Sequence, residues 1–396
     1  MKKFKSLLAA ALAVTMTMTF TACTSDSGTP PSTDPPKVSQ SQASEPADDG
    51  GEAQSKPDDA TATDVSYEKI PFLKDYAQYK QDGEINVLYL VCTTLAEYFP
   101  NSHAVWEPML AEHNINIELV GPPSYSDESL ISTLESALAS GKYDVILLYP
   151  ITPSAITPLL EPLWEQYHIP IVAFAFSPET GCGNYYMGTS YYSAGQVMGQ
   201  SIIDYVDANK AYFDTLDTIP VAVYKNAAGG EQYQRITGAL DTLEADGRFT
   251  LIDEYEANGE AVCLTATETL LTSHPEVEII LTQIDNDVTG TYQTVIGGSY
   301  ECSDYLSIWG FDATGAVCSL MAQDGPDGFV QGSAFIDHVQ AGEALCEFLP
   351  IVSGAAKQGE LIEFTQEEKD FLGTILADYY ITVTPENVND YYTPAE

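Results

Sequence analysis

The sequence predicts an α/β protein built as two doubly wound lobes of parallel sheet, and three observations lead there. Apolar runs of strand length recur along the chain, each followed by a stretch with helical spacing, the order that repeated βα units produce. The first of these runs are apolar at consecutive positions, as strands covered on both faces require. The body from residue 67 to 396 is also longer than one hydrophobic core usually serves, so two lobes are expected.

In the first block the spacing predicts strands at 85–92, 115–120, 144–149 and 170–176, with helices at 102–113, 127–139 and 153–167 between them. A short strand at 185–188 and a helix at 193–209 follow, and 214–220 reads as a connection. The second block pairs strands 220–224, 250–256, 278–282 and 306–311 with helices 231–245, 259–272, 288–296 and 315–322. A strand at 328–336, a helix at 339–349 and an extended piece at 380–384 complete the chain. In open sheets of this kind ligands bind outside the carboxyl ends of the strands, so the cleft between the blocks is the place to look for a site.

The N-terminus reads as an export signal, residues 1–22. Lys2, Lys3 and Lys5 precede an apolar run too short for a membrane span. The segment Phe20-Thr21-Ala22-Cys23 resembles the bacterial lipoprotein cleavage box, apart from Phe20 where Leu is usual, which makes Cys23 the candidate lipidation site. Residues 23–66 are mostly Ser, Thr, Pro, Asp, Glu, Gly and Ala, with little to bury, and are expected to be a disordered tether. The expected location is the cell membrane, lipid-anchored on its extracytoplasmic face. A formal charge of −43 repels nucleic-acid phosphates and anionic lipid surfaces. Six cysteines beyond Cys23 show no C-x-x-C or zinc spacing; disulfides and buried free thiols both stay open, and no metal or cofactor is expected.

Five segments stand out in order along the chain: Gly121-Pro122-Pro123 with the following helix, the Asp144 to Pro150 strand, the turn Met187-Gly188-Thr189-Ser190, Arg235-x-x-Gly238, and Trp309-Gly310-Phe311-Asp312. Together they resemble the sugar-binding branch of the type I periplasmic binding protein family, including its ribose-, rhamnose- and autoinducer-binding members. The resemblance implies two lobes joined by a multi-strand hinge, with lobe 1 at about 84–210 plus 334–352 and lobe 2 at about 218–330 plus a C-terminal segment. It implies a monomer that closes on a small ligand, a sugar or sugar derivative, and delivers it to the permease of an ABC importer. A sensory module that presents the closed form to a membrane kinase or chemoreceptor is the alternative.

By the same resemblance, Tyr98, Phe99 and Trp106 stand where a loop carries ligand-sandwiching aromatics, with core packing as the competing role. Arg235 would reach into the cleft and Asp312 would accept hydroxyl hydrogen bonds; a surface ion pair and a helix cap are their alternatives. Asp285 and Asn286 match a segment whose Asn touches ligand, though counting back from Gly290 puts Ile284 in that place. Phe176, Tyr191 and Asp337 are the remaining candidates. Two departures bear on the ligand: Phe174-Ala175-Phe176-Ser177 stands where the family commonly has paired aspartates, and Ile336 where a Gln is usual. Both changes disfavour a bare monosaccharide, because its hydroxyls would be desolvated without partners.

An enzyme is not expected. The five histidines show no metal-ligand pair at helical spacing, and the chain contains neither a G-x-S-x-G elbow nor a P-loop.

Overall fold

The computed structural model describes residues 67–226, 232–257, 259–298 and 300–392. The expected signal peptide, Cys23, the tether to residue 66 and the start of the helix expected at 231–245 lie outside the described residues. Eleven strands are described: β1 (Ile85–Val91), β2 (Ile115–Val120), β3 (Val145–Tyr149), β4 (Ile171–Phe174), β5 (Tyr185–Met187), β6 (Ile219–Lys225), β7 (Phe249–Glu256), β8 (Ile279–Thr282), β9 (Ser307–Phe311), β10 (Val330–Ile336) and β11 (Tyr380–Val383). The helices are α1 (Tyr98–Ala111), α2 (Asp127–Ser140), α3 (Pro153–Ile156), α4 (Leu160–Tyr167), α5 (Tyr191–Ala208), α6 (Lys210–Phe213), α7 (Tyr233–Asp246), α8 (Glu260–Ser273), α9 (Asp285–Gly297), α10 (Gly315–Asp324), α11 (His338–Lys357), α12 (Gln366–Thr374) and α13 (Val388–Tyr391). No helix among the described residues is long and apolar enough to cross a membrane.

The strands form two sheets, ordered β2-β1-β3-β4-β5 and β11-β10-β9-β8-β6-β7. All neighbours are parallel except β10 and β11. Consecutive apolar residues serve opposite faces, as the pleat dictates. In the first sheet Leu88, Leu90, Ile146 and Leu148 meet Leu130, Leu134 and Leu138 of α2. Val87, Tyr89 and Leu147 turn the other way, toward Trp106 and Leu110 of α1 and the apolar residues of α11. In the second sheet Tyr224, Ile280 and Ile308 pack under α8, α9 and α10, while Val221, Val223 and Leu281 face α5 and α7. The edge strands differ: β2 and β7, at the ends of their sheets, expose alternate or successive residues.

Local chemistry sets several element ends. The Ser126 hydroxyl accepts the Ser129 N–H and Gly141 closes α2 in the left-handed region, φ +63°. A reciprocal Thr365–Glu368 capping box opens α12. The single helix expected at 153–167 is interrupted at Thr157–Leu159, because Pro158 has no N–H to continue the ladder. Helix α1 begins at Tyr98, earlier than the expected 102, so Tyr98 and Phe99 sit in its first turn, where Pro100 is tolerated.

The lobes exchange chain at points that differ from the expected ones. Lobe 1 was expected to run to about 210, yet α5 lies against α7 of the second lobe so closely that backbones touch. A Cβ on Gly195 would sit 2.1 Å from the Arg235 carbonyl oxygen, and one on Gly238 would sit 2.0 Å from that of Tyr192. The first crossing therefore falls near Gly188. Residues 334–336, expected in lobe 1, belong to the second sheet as the end of β10, paired with β9 and β11. The chain returns to the first lobe only at α11, whose Asp337 cap accepts the N–H groups of Val339 and Gln340. The third crossing precedes β11. The crossings are tied together: Gly188 N–H donates to the Leu372 carbonyl, Leu376 N–H to Gly188, and Asp337 N–H to Tyr379.

Candidate functional site

A cavity of about 290 Å³ lies between the lobes, at the carboxyl ends of the strands of both sheets. The first lobe contributes Cys92 after β1, Tyr98 and Phe99 at the start of α1, Tyr149 ending β3, Ala175 after β4, and Thr93, Ala96 and Tyr125 from loops. The second contributes Tyr191 of α5, Gln232 and Arg235 at the start of α7, Asp312 after β9, Phe335 and Ile336 of β10, and Tyr380 of β11.

The charged element is an ion pair. Arg235 Nη2 lies 2.9 Å from Asp312 Oδ1, and Nη1 donates to the Gln283 carbonyl at 3.3 Å. The guanidinium also lies 5.0 Å from the Tyr191 ring centroid and 5.1 Å from that of Phe311. Burial is the largest single influence and works against its charge, but Asp312, Tyr380 and Tyr191 together outweigh it and the guanidinium is held firmly protonated. Its Nε, although buried, has no hydrogen-bond partner among the described residues.

Asp312 owes its position to a strained turn. Both Asp312 and Ala313 take positive φ, +100° and +43°, where residues other than Gly are uncommon. Three successive amides fix that turn: Asp312 N–H donates to the Ala334 carbonyl, Ala313 N–H to Ser333 Oγ, and Thr314 N–H to Asp285 Oδ2 at 2.7 Å. The Ser333 hydroxyl donates in turn to Asp285 Oδ1 at 2.7 Å. Asp285 therefore lies behind the wall and braces the turn. Burial, reinforced by the charge of Asp312, pushes its carboxyl up to about 8, so it is largely protonated at neutral pH.

The aromatic wall is layered. The Tyr149 ring meets Phe99 edge-on at 4.9 Å and Phe176 at 5.0 Å, and its hydroxyl lies 3.4 Å from that of Tyr191. Tyr98 stacks edge-on against His338, and its buried hydroxyl has no hydrogen-bond partner among the described residues. Burial pushes the phenols of Tyr98 and Tyr149 well above the usual range, so both stay neutral donors and acceptors. The Tyr380 hydroxyl accepts from Thr189 at 3.3 Å.

Of the residues expected at the site, Tyr98, Phe99, Tyr191, Arg235 and Asp312 line the cavity. Five do not. Trp106 is fully buried against Tyr89 and Phe174, its Nε1–H donating to the His338 carbonyl at 2.8 Å, so it is core. Phe176 backs Tyr149 from the far side. Asp285 is the brace just described, Asn286 is exposed outside the lining, and Asp337 is the α11 cap. The sequence reading missed Tyr149, Tyr380, Tyr125, Gln232 and Cys92. Tyr149 could have been found, since it ends a strand predicted to point at the cleft; Tyr380 comes from a distant segment whose pairing no local pattern announces.

The cavity-lining thiol does not suit nucleophilic chemistry. Burial pushes Cys92 up, and it pushes Cys318 and Cys346 to about 12, away from the thiolate form. A curated enzyme, a β-ketoacyl-[acyl-carrier-protein] synthase III of Lactiplantibacillus plantarum, is 25% identical over 172 residues, 41% of this chain and 51% of its own; the chain thus spans about half the length of that relative.

Solved structures with the same fold match far more of the chain. An arabinose binding protein from Geobacillus stearothermophilus aligns with a TM-score of 0.63 at 19% identity, covering 79% of this chain and 100% of its own. A sugar-binding protein from Bacillus halodurans gives 0.62 at 19%, over 78% and 100%. A periplasmic solute-binding protein from Actinobacillus succinogenes with bound D-allose gives 0.57 at 17%, over 78% and 100%. The profile of the periplasmic binding protein domain matches residues 88–350, two-thirds of the sequence, and the chain belongs to that family of extracytoplasmic binding proteins, which are not enzymes.

Proposed function

We propose that this protein is the solute-receiving lipoprotein of an ATP-driven importer and that its cleft closes on a sugar or sugar derivative. The observation that carries the proposal is the Arg235–Asp312 pair set among aromatic rings between two hinged lobes. Charged hydrogen-bonding groups match hydroxyls, and flat rings match the C–H face of a sugar. Similar folds with bound D-allose, α-D-tagatopyranose and D-arabinose support the same ligand class. Closure of this kind shifts a population by contacts made from both lobes. We place the lipid on Cys23, with residues 23–66 as the tether and the body acting as a monomer.

A thermal-shift screen of the purified protein against sugars, glycosides, nucleosides and amino acids tests the ligand class. A ligand at a hundred times its dissociation constant adds about 2.7 kcal/mol, enough to raise the melting temperature by several degrees. Hits confined to nucleosides or amino acids would overturn the sugar assignment. The anchor has its own test: Cys23→Ser should move the protein from the membrane pellet to the soluble fraction, and retention in the pellet would refute lipidation there.

A further inference from the structure

The two sides of the cavity wall differ in their charged and amide groups, although the second lobe also presents the apolar Phe335 and Ile336. The second lobe supplies an amide and both charges, through Gln232, Arg235 and Asp312. The first lobe supplies no carboxylate, amide or cation to the lining. Its wall consists of the rings of Phe99 and Tyr149, the small side chains of Cys92, Ala96 and Ala175, and hydroxyls from tyrosines and a threonine. A sugar hydroxyl pressed onto Cys92, Ala96 and Ala175 would lose water and gain no partner, whereas an apolar ring there would lose little.

The buried polar atoms without partners point the same way. Arg235 Nε needs an acceptor, and it lies on the second-lobe side. The Tyr98 hydroxyl, on the first-lobe side, is a neutral donor and acceptor that one ether or hydroxyl oxygen would satisfy. Charge balance adds a further limit. Arg235 and Asp312 neutralise each other at 2.9 Å, so a net charge on the ligand would go uncompensated.

Building on the sugar-site proposal above, we infer that the ligand is an uncharged glycoside whose hydroxyls face Arg235, Asp312 and Gln232 and whose aryl or alkyl substituent packs against Phe99, Tyr149 and Ala175. The sugar end is read by the second lobe and the substituent by the first. Ala175 is the position where the difference can be reversed. Its backbone has φ +62°, a conformation that Asp adopts more readily than most residues, so Ala175→Asp would install an acceptor without a new backbone demand.

Calorimetric titration of the purified protein with a panel of free pentoses and hexoses, and with the phenyl and octyl glycosides of the same sugars, tests the inference. At least one glycoside should bind ten-fold or more tightly than its parent sugar, and Ala175→Asp should lower that ratio at least five-fold. Parent sugars that bind as tightly as their glycosides would overturn the inference and leave the sugar site standing. An unchanged ratio in a cooperatively melting Ala175→Asp protein would overturn the assigned orientation, and a panel in which neither class binds would overturn the sugar site together with the inference.

Discussion

Replacing Asp312 by Asn tests whether the cleft ion pair is a buried one. Asn keeps the shape of the side chain and tolerates the φ of +100° at this position, so the change removes charge without adding backbone strain. Arg235 would keep its hydrogen bond to Gln283 and its ring neighbours but would lose its carboxylate. Removing one partner of a fully buried pair costs about 3–5 kcal/mol. Asp312 is 29% exposed and the Asn amide oxygen can still accept, which argues for the lower end. Relief of Asp285, whose carboxyl is pushed up partly by the charge of Asp312, offsets a further share. The net expectation is a loss of about 2 kcal/mol at pH 7. Urea denaturation of wild type, Asp312→Asn, Arg235→Met and the double variant, without ligand, measures it as a cycle. Fluorescence and circular dichroism transitions should coincide, because a two-lobed body need not unfold in one step. A coupling energy below about 0.5 kcal/mol would show that solvent screens the pair as it does at an open surface, and would refute the reasoning.

Three more outcomes follow from the geometry. The native Asp285 carboxyl, at about 8, keeps a proton that the unfolded chain gives up near the ordinary carboxylate value; stability should therefore fall as pH rises toward 8. Asp287, near 6, and His338, lowered to about 4 by burial, confine their own contributions to more acid pH, so Asp285→Asn should flatten the slope between pH 6.5 and 8 in urea titrations. Gly195→Ala would press a methyl group onto the Arg235 carbonyl and should cost at least about 3 kcal/mol or prevent soluble expression, whereas Gly297→Ala, with open space around it, should be neutral or slightly stabilising. Glu97 of the first lobe accepts the Gly315 N–H at the start of α10 in the second, at 2.8 Å. Glu97→Gln should speed dissociation of the tightest panel ligand about two- to five-fold in a stopped-flow chase, the kinetic counterpart of 0.3–1 kcal/mol for a carboxylate at a helix N-terminus.

Strand identity was legible because β1, β3 and β4 are apolar at nearly every position, and only a sheet covered on both faces needs that. The Asp312 turn was legible because its motif is local. What resisted reading was partnership between distant segments. The periodicity of 191–208 shows that α5 has an apolar face but not that the face meets the second lobe; Gly195 and Gly199, one turn apart, were a local hint of a close backbone approach. Trp106 misled for a related reason. An aromatic ring after a cleft-facing strand suits a ligand and suits a core equally, and the choice was made by Tyr89 and Phe174, which surround it. Asp285 was found as a residue but not in its role, since its partners Ser333 and Thr314 come from β10 and the turn after β9.

The electrostatics of the site and of the whole chain work in the same direction. With a formal charge of −43, the protein surrounds its cleft with a negative field that lowers the local concentration of anionic solutes before any contact is made. Such a field would draw cations in, yet the described residues lining the cleft include no free carboxylate to hold one. Asp312 is bound to Arg235, and Asp285, behind it, is pushed toward its neutral form. Protonation of Asp285 therefore has a consequence for selectivity as well as for stability: it prevents a second negative charge from accumulating next to Asp312. Were Asp285 ionised, the Arg235 charge would be outnumbered and the wall would attract an amine. Repulsion by the field and neutrality of the wall together favour uncharged solutes, and hydrogen bonds and ring contacts are then left to discriminate among them.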